Sequence, residues 1–194
     1  MNFIINLEIK EMFKSTALIL LYIVFVSIGV LMIIRWYVNQ KLIKNLTIVW
    51  IGNFLGSVFT AYLGYYAGIF NSPIIQKVFL DTGISKISLS FSQCVASGFF
   101  CNVLVIMGII MSMSANDVTG KIFGCWFPIM LFVVCGYQHV VANMFIIAVG
   151  KIFSPETFQL GEIFINHFLP TSIGNFLSGG VFLPAFLYFS YYKK

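Results

Sequence analysis

The sequence predicts an all-α, polytopic membrane bundle, and three observations carry that prediction. The 194 residues are 60% hydrophobic and only 9% charged, with a mean hydropathy of +0.98. A soluble domain of this size could not hide so much apolar surface in one core, and there is room for one domain only, so the surplus must face lipid. The charges are also segregated, leaving uncharged runs at 15–34, 45–76, 87–116, 122–150 and 163–192. Each reaches the roughly 20 residues that a helix needs to cross a hydrocarbon core. The runs lack the strict alternation of barrel strands, so helices must satisfy the backbone within the bilayer.

The first span, about residues 15–35, follows Lys10 and Lys14. Its apolar run is longer than the core of a signal peptide and lacks a small-x-small cleavage site, so it reads as a retained helix. The second span, about 46–69, carries Ile51-Gly52-Asn53-Phe54-Leu55-Gly56-Ser57. The fifth, about 166–191, carries Ile173-Gly174-Asn175-Phe176-Leu177-Ser178-Gly179-Gly180. Five identical residues in a row, a polar Asn among them, favour a duplicated unit of the kind that transporter folds are built from; chance in a chain rich in Gly, Phe and Leu is the alternative. The glycines, Gly52-x-x-x-Gly56 and Gly174 with Gly179, suit close helix approach. Asn53 and Asn175 read as packing residues that satisfy backbone groups.

If the duplication is real, the copy ending in the fifth span has three spans and the copy ending in the second has two. One N-terminal span is then expected to be missing. Charge placement agrees: with the 35–44 connection in the cytoplasm, six basic residues lie inside and five outside, a poor bias for a protein of this kind.

The third span, about 87–113, holds Asn102 in its middle, an amide donor where lipid offers none. Taken alone, such a residue is an interhelical hydrogen bond more often than a ligand contact. The fourth, 122–150, is too interrupted for one plain helix. Pro128, Gly136 and the polar set Gln138, His139 and Asn143 predict a break near 136–143. Freed amides at membrane depth must line a cavity or be buried in protein, and half-helix N-termini there direct partial positive charge at anions. His139 is the strongest single candidate, because an ionisable residue deep in a span is costly. With an ordinary pKa near 6.5 it can attract an anion as a cation or neutralise one as a proton donor. A buried histidine that only bridges helices is the competing reading. Phe132, about two turns earlier, can narrow a pore.

Other chemistries are set aside. The net charge of +5 sits in connections and termini, where lipid headgroups account for it, so nucleic acid is not an expected partner. Cys94, Cys101, Cys125 and Cys135 form no C-x-x-C pair and read as small core residues. His167, near a span entrance, makes no metal spacing with His139. No zinc-protease, phosphate-loop, dinucleotide or nucleophile-elbow motif occurs, so no enzyme, metal or cofactor is expected.

The run Gly98-Phe99-Phe100-Cys101-Asn102-Val103-Leu104-Val105, then 115–123, Phe127-Pro128-Ile129-Met130 and Gly136-Tyr137-Gln138-His139-Val140-Val141-Ala142-Asn143-Met144-Phe145, resembles the formate/nitrite transporter family. With the two Ile-Gly-Asn motifs the resemblance covers about residues 41–190. It implies a six-span, aquaporin-like protomer of two inverted repeats, a homopentamer in the lipid bilayer with one substrate path per protomer, and proton-linked passage of formate, nitrite, lactate or hydrosulfide. His139 matches the family's central histidine, Asn102 the asparagine on the preceding helix, and Phe132 and Val105 its apolar constrictions. The family's Leu-Phe-Thr-Gly-Asn loop finds only Phe25-Val26-Ser27-Ile28-Gly29 here, where Ser27 supplies a hydroxyl in place of threonine. Gln138 stands where many members carry glutamate, and the family's first helix has no counterpart.

The expected function is therefore a channel or transporter for small monovalent anions, formate or nitrite first, in a bacterial cytoplasmic membrane. His139 is its centre, Asn102, Phe132, Val105 and Ser27 line its pathway, and Gly52, Asn53, Gly174, Asn175 and Asn143 are its structural motif. The alternatives are a degenerate, truncated homologue that does not transport, or a hydrosulfide-type channel.

Overall fold

The computed structural model describes residues 42–192. Ser27 and the span expected at 15–35 lie outside the described residues. Among those described, every element is helical, and three stretches are long and apolar enough to cross a membrane: Lys44–Tyr66, Phe91–Ser114 and Leu160–Ser190. Helix α1 spans Leu42–Tyr66, α2 Pro73–Ile87, α3 Phe91–Ser114, α4 Val118–Val134 and α5 Val140–Phe153. A final continuous helix runs through α6 (Leu160–Ile163), a π segment (Phe164–Phe168), α7 (Leu169–Phe176), a second π segment (Leu177–Phe182) and α8 (Leu183–Tyr192). Helix α2 was not foreseen as a separate element, because Lys77, Asp81 and Lys86 made that stretch look like a connection.

The described residues divide into two compact units, one of 42–84 with 144–158 and the other of 85–143 with 159–192. In the first, Ala61, Phe70, Ile75, Phe79, Phe145 and Val149 form the core. Phe70 meets Phe79 edge to face at 5.3 Å, a geometry that suits the charge distribution of aromatic rings. Phe158 is fully buried, and a Cβ at either Gly83 or Gly150 would come within 2.8 Å of its ring. The Lys151 ammonium donates to the Phe158 carbonyl at 2.9 Å.

The second unit holds α3, α4, the break and the final helix. Ser90 opens α3 with a capping box: its hydroxyl accepts from the Gln93 amide while the Gln93 side chain accepts from the Ser90 amide. Asp117 caps α4 by accepting from the Gly120 amide at 2.8 Å. Helices α3 and α4 pack closely where Gly124 faces the Met111–Ser112 backbone; a Cβ there would stand 2.9 Å from it. Helices α3 and α7 approach through Gly98 and Gly174. A Cβ on Gly174 would overlap the Val95 carbonyl, and one on Gly98 would lie 2.9 Å from the Thr171 carbonyl. Small residues let membrane helices approach to backbone contact, where dispersion and hydrogen bonding take over from a hydrophobic drive.

Pro128 does not interrupt α4, which continues through it to Val134. The break lies at 135–139, shorter than the 136–143 expected from the polar set, since Asn143 already belongs to α5. Gly136 makes it possible. At φ +69° it closes α4 with its own amide donating to the Val133 carbonyl and the Tyr137 amide donating to the Phe132 carbonyl, the paired bonds of a helix ended by a left-handed residue.

Candidate functional site

A break in a buried helix frees amides and carbonyls that must find partners. Here α3 and α7 supply them. The Gln138 amide donates to the Ser97 hydroxyl at 3.1 Å. Asn175 takes the peptide groups on either side of His139: its Nδ2 donates to the Gln138 carbonyl at 3.0 Å, and its Oδ1 accepts from the Val140 amide at 3.1 Å. The same Nδ2 donates to the Gly98 carbonyl at 2.8 Å. The Asn175 carbonyl in turn accepts from Asn102 Nδ2 at 2.7 Å.

His139, half-buried, caps α5. Its Nδ1 accepts from the Ala142 amide at 3.3 Å, and its carbonyl accepts from the Asn143 amide at 2.9 Å. A side chain just before the first turn that accepts from the third helical amide is the N-cap arrangement. Because Nδ1 is the acceptor, the neutral ring carries its proton on Nε2. Nε2 has no hydrogen-bond partner among the described residues. A proton on Nδ1 would break the cap and put a cation at the positive end of α5. The ring stacks on Phe132, with centroids 5.7 Å apart and planes at 20°.

A second polar row lies against the break. The Lys86 ammonium donates to Gln138 Oε1 at 3.2 Å, and Asn143 Nδ2 donates to the same oxygen at 2.9 Å. Asn143 Nδ2 also meets His167 Nε2 at 2.9 Å, and His167 Nδ1 lies 3.5 Å from Cys94 Sγ. Lys86 is only 9% exposed, Asn143 is fully enclosed and His167 is 1% exposed. Lys86, read from composition as a headgroup-facing charge, is thus enclosed in protein, and so is His167 near the start of its span.

Of the residues singled out in the sequence, the structure brings His139, Phe132, Asn175 and Asn102 into one arrangement, with Asn102 joined through the Asn175 backbone. Val105 is half-buried on α3, one turn after Asn102. Gly52 and Asn53 are half-buried on α1, away from any described hydrogen bond. Cys94 and Cys101 are fully buried, whereas Cys125 and Cys135 are exposed. Sequence reasoning missed Ser97, Lys86 and His167. An isolated lysine in the last turn of an otherwise apolar helix end was the available signal for Lys86.

Comparison with known proteins gives the family. The model of the formate/nitrite transporter family matches residues 10–189. The chain belongs to the formate/nitrite transporter family. An uncharacterized transporter of Bacillus subtilis, YrhG, is 40% identical over 157 residues, which are 80% of this chain and 58% of that protein. A probable formate transporter of Methanothermobacter thermautotrophicus is 32% identical over 79% of this chain and 61% of its own. The formate channel BtFdhC of Bacillus thuringiensis is 36% identical over 75% and 56%. The chain therefore spans about three-fifths of the length of these family members. Among solved structures, a pentameric formate channel with formate bound shares the fold at a TM-score of 0.72, covering 92% of this chain and 84% of that one at 23% identity. An ion channel of the family matches with a TM-score of 0.70 and 29% identity over 76% and 59%. The family and the apolar helices make this a multi-pass membrane protein.

Proposed function

We propose that this protein carries small monovalent anions, formate or nitrite, across a bacterial cytoplasmic membrane as a homopentamer, with His139 at the centre of each protomer's path. The observation that carries the reading is the state of His139. Its Nδ1 is committed to capping α5, so the neutral ring holds an Nε2–H donor without a partner among the described residues, beside the apolar face of Phe132. Such a donor at the positive end of a half-helix suits an anion, and the same ring can deliver a proton so that the substrate crosses as a neutral acid, avoiding the cost of a bare charge in low dielectric. The names of the relatives, a probable formate transporter and a formate channel, support the substrate class.

Flux into proteoliposomes tests this. His139→Asn retains a capping side chain and the fold, while the transferable ring proton is lost. Formate or nitrite flux is expected to fall at least about tenfold, equivalent to about 1.4 kcal/mol in the barrier. Unchanged flux in that variant would overturn the role of His139. Absence of flux in the unmodified protein would favour a member that does not transport.

A further inference from the structure

We propose that His167 is a positioning residue: as a neutral imidazole accepting at Nε2, it ends a hydrogen-bond row with fixed donors and acceptors that begins at Lys86 and holds the break around His139, and a proton on His167 releases that row. The proposal rests on the transport reading for its flux consequence, and on the geometry alone for the row itself.

The direction of the row follows from groups that cannot reverse. An ammonium only donates and a backbone carbonyl only accepts. Lys86 Nζ points at Gln138 Oε1, and Gln138 Nε2 donates to the Gly136 carbonyl at 2.8 Å. Turning the Gln138 amide over would set donor against donor on one side and acceptor against acceptor on the other. Its oxygen therefore stays where it is. Asn143 must then present Nδ2 to that oxygen, and the same Nδ2 is what His167 Nε2 meets. So Nε2 offers a lone pair, the ring proton sits on Nδ1, and Nδ1–H faces the Cys94 sulfur.

A second proton on His167 has no place in this row. With Nε2–H present, the Asn143 contact becomes donor against donor. Turning Asn143 over satisfies His167 but sets its Oδ1 against Gln138 Oε1. Every arrangement of the protonated row loses at least one contact, and it places a second cation in the same enclosed row as the Lys86 ammonium. The groups that face His167 are Lys86 from α2, Cys94 from α3 and Asn143 from α5, and on its own helix Glu162 is exposed one turn earlier. None of them is a carboxylate able to hold the proton in place. Gln138 and Asn143 stand at −1 and +4 relative to His139, so what loosens them loosens the two ends that fix its ring. Acid is thus expected to weaken transport through His167 in addition to whatever it does at His139 and at the substrate.

Two measurements decide this. In nanodiscs, nitrogen-15 spectra of histidine-labelled protein, assigned by the signals missing in His167→Gln, should show His167 at neutral pH with Nδ1 protonated and Nε2 bare. Acidification should shift the His139 signals in step with protonation of His167, and in His167→Gln that step should vanish. In proteoliposomes, His167→Leu, which offers no acceptor, should lower the maximal formate flux about tenfold with little change in half-saturation, since positioning rather than binding is lost. His167→Gln, whose Oε1 reproduces the acceptor without titrating, should restore most of that flux and remove the part of its acid decline that falls below about pH 5, because an enclosed imidazole gains its second proton only in stronger acid than a free one. An Nε2–H tautomer at neutral pH, His139 signals indifferent to His167, or an undiminished acid decline in His167→Gln would each overturn the proposal. If the unmodified protein carries no flux, the transport reading fails, and the spectra still decide whether the row exists.

Discussion

Ile51-Gly52-Asn53 in α1 and Ile173-Gly174-Asn175 in α7 repeat one sequence in two settings. In α7, a Cβ at Gly174 would overlap the Val95 carbonyl, and Asn175 makes three side-chain hydrogen bonds, two of them to the peptide groups flanking His139. In α1, the glycine one turn on, Gly56, has nothing within 4 Å of where a Cβ would stand, and Asn53 is half-buried without a described hydrogen bond. The stretch around 25–29 that a duplicated unit would set against α1 lies outside the described residues. The contrast teaches that the motif is a pair of capacities, close approach and four-way hydrogen bonding. Among the described residues it forms a site where a broken helix crosses it.

The largest expected effect breaks that contrast at the asparagines. Asn175→Leu leaves the Gln138 carbonyl and the Val140 amide unpaired and strips the Gly98 carbonyl of its second bond. At about 1–3 kcal/mol for each buried orphan, a loss of at least about 2 kcal/mol should appear in thermal unfolding of the detergent-solubilised protein, while Asn53→Leu stays within about 1 kcal/mol. Equal losses at the two positions would mean that the α1 copy is equally engaged. Next come the glycines. Gly174→Ala drives a methyl into backbone that cannot yield cheaply, so about 1–3 kcal/mol is expected, whereas Gly56→Ala should be neutral or stabilising by up to about 1 kcal/mol through helix propensity. The smallest effect sharpens the view of the break. Gly136 sits at φ +69° with open space around it, so Gly136→Ala should cost about 1–2 kcal/mol from backbone strain alone, and Gly136→Asn less. The thermal midpoints of the two variants, compared side by side, check that order.

Much of this was readable in advance, for local reasons. The uncharged runs marked the helices, and Gly136 with Gln138 and His139 close behind it marked the break. The seven-residue spacing of Phe132 and His139 put them two turns apart on paper; in the structure the chain has left the helix by then, and the rings meet because the break folds His139 back. What stayed hidden depends on distance along the chain. Lys86 reaches Gln138 across 52 residues, and His167 reaches Cys94 across 73 and Asn143 across 24. No periodicity within α2 or the final helix announces those partners. Asn175 was read as a packing residue, and it does pack, but its more telling role appears only once the break lies beside it.

The final helix changes its pitch twice, at Phe164–Phe168 and at Leu177–Phe182, and those wider turns bracket α7. A wide turn is an extra residue absorbed without breaking the rod. Since each residue advances a helix by about 100°, a single residue decides which way everything beyond it points. His167 lies in one wide turn and Asn175 just before the other, so the two wide turns act as phase adjusters for the two side chains that hold the break. Removing one residue between them would leave a sound helix, still apolar and still long enough for a bilayer, with either His167 or Asn175 turned away from α3.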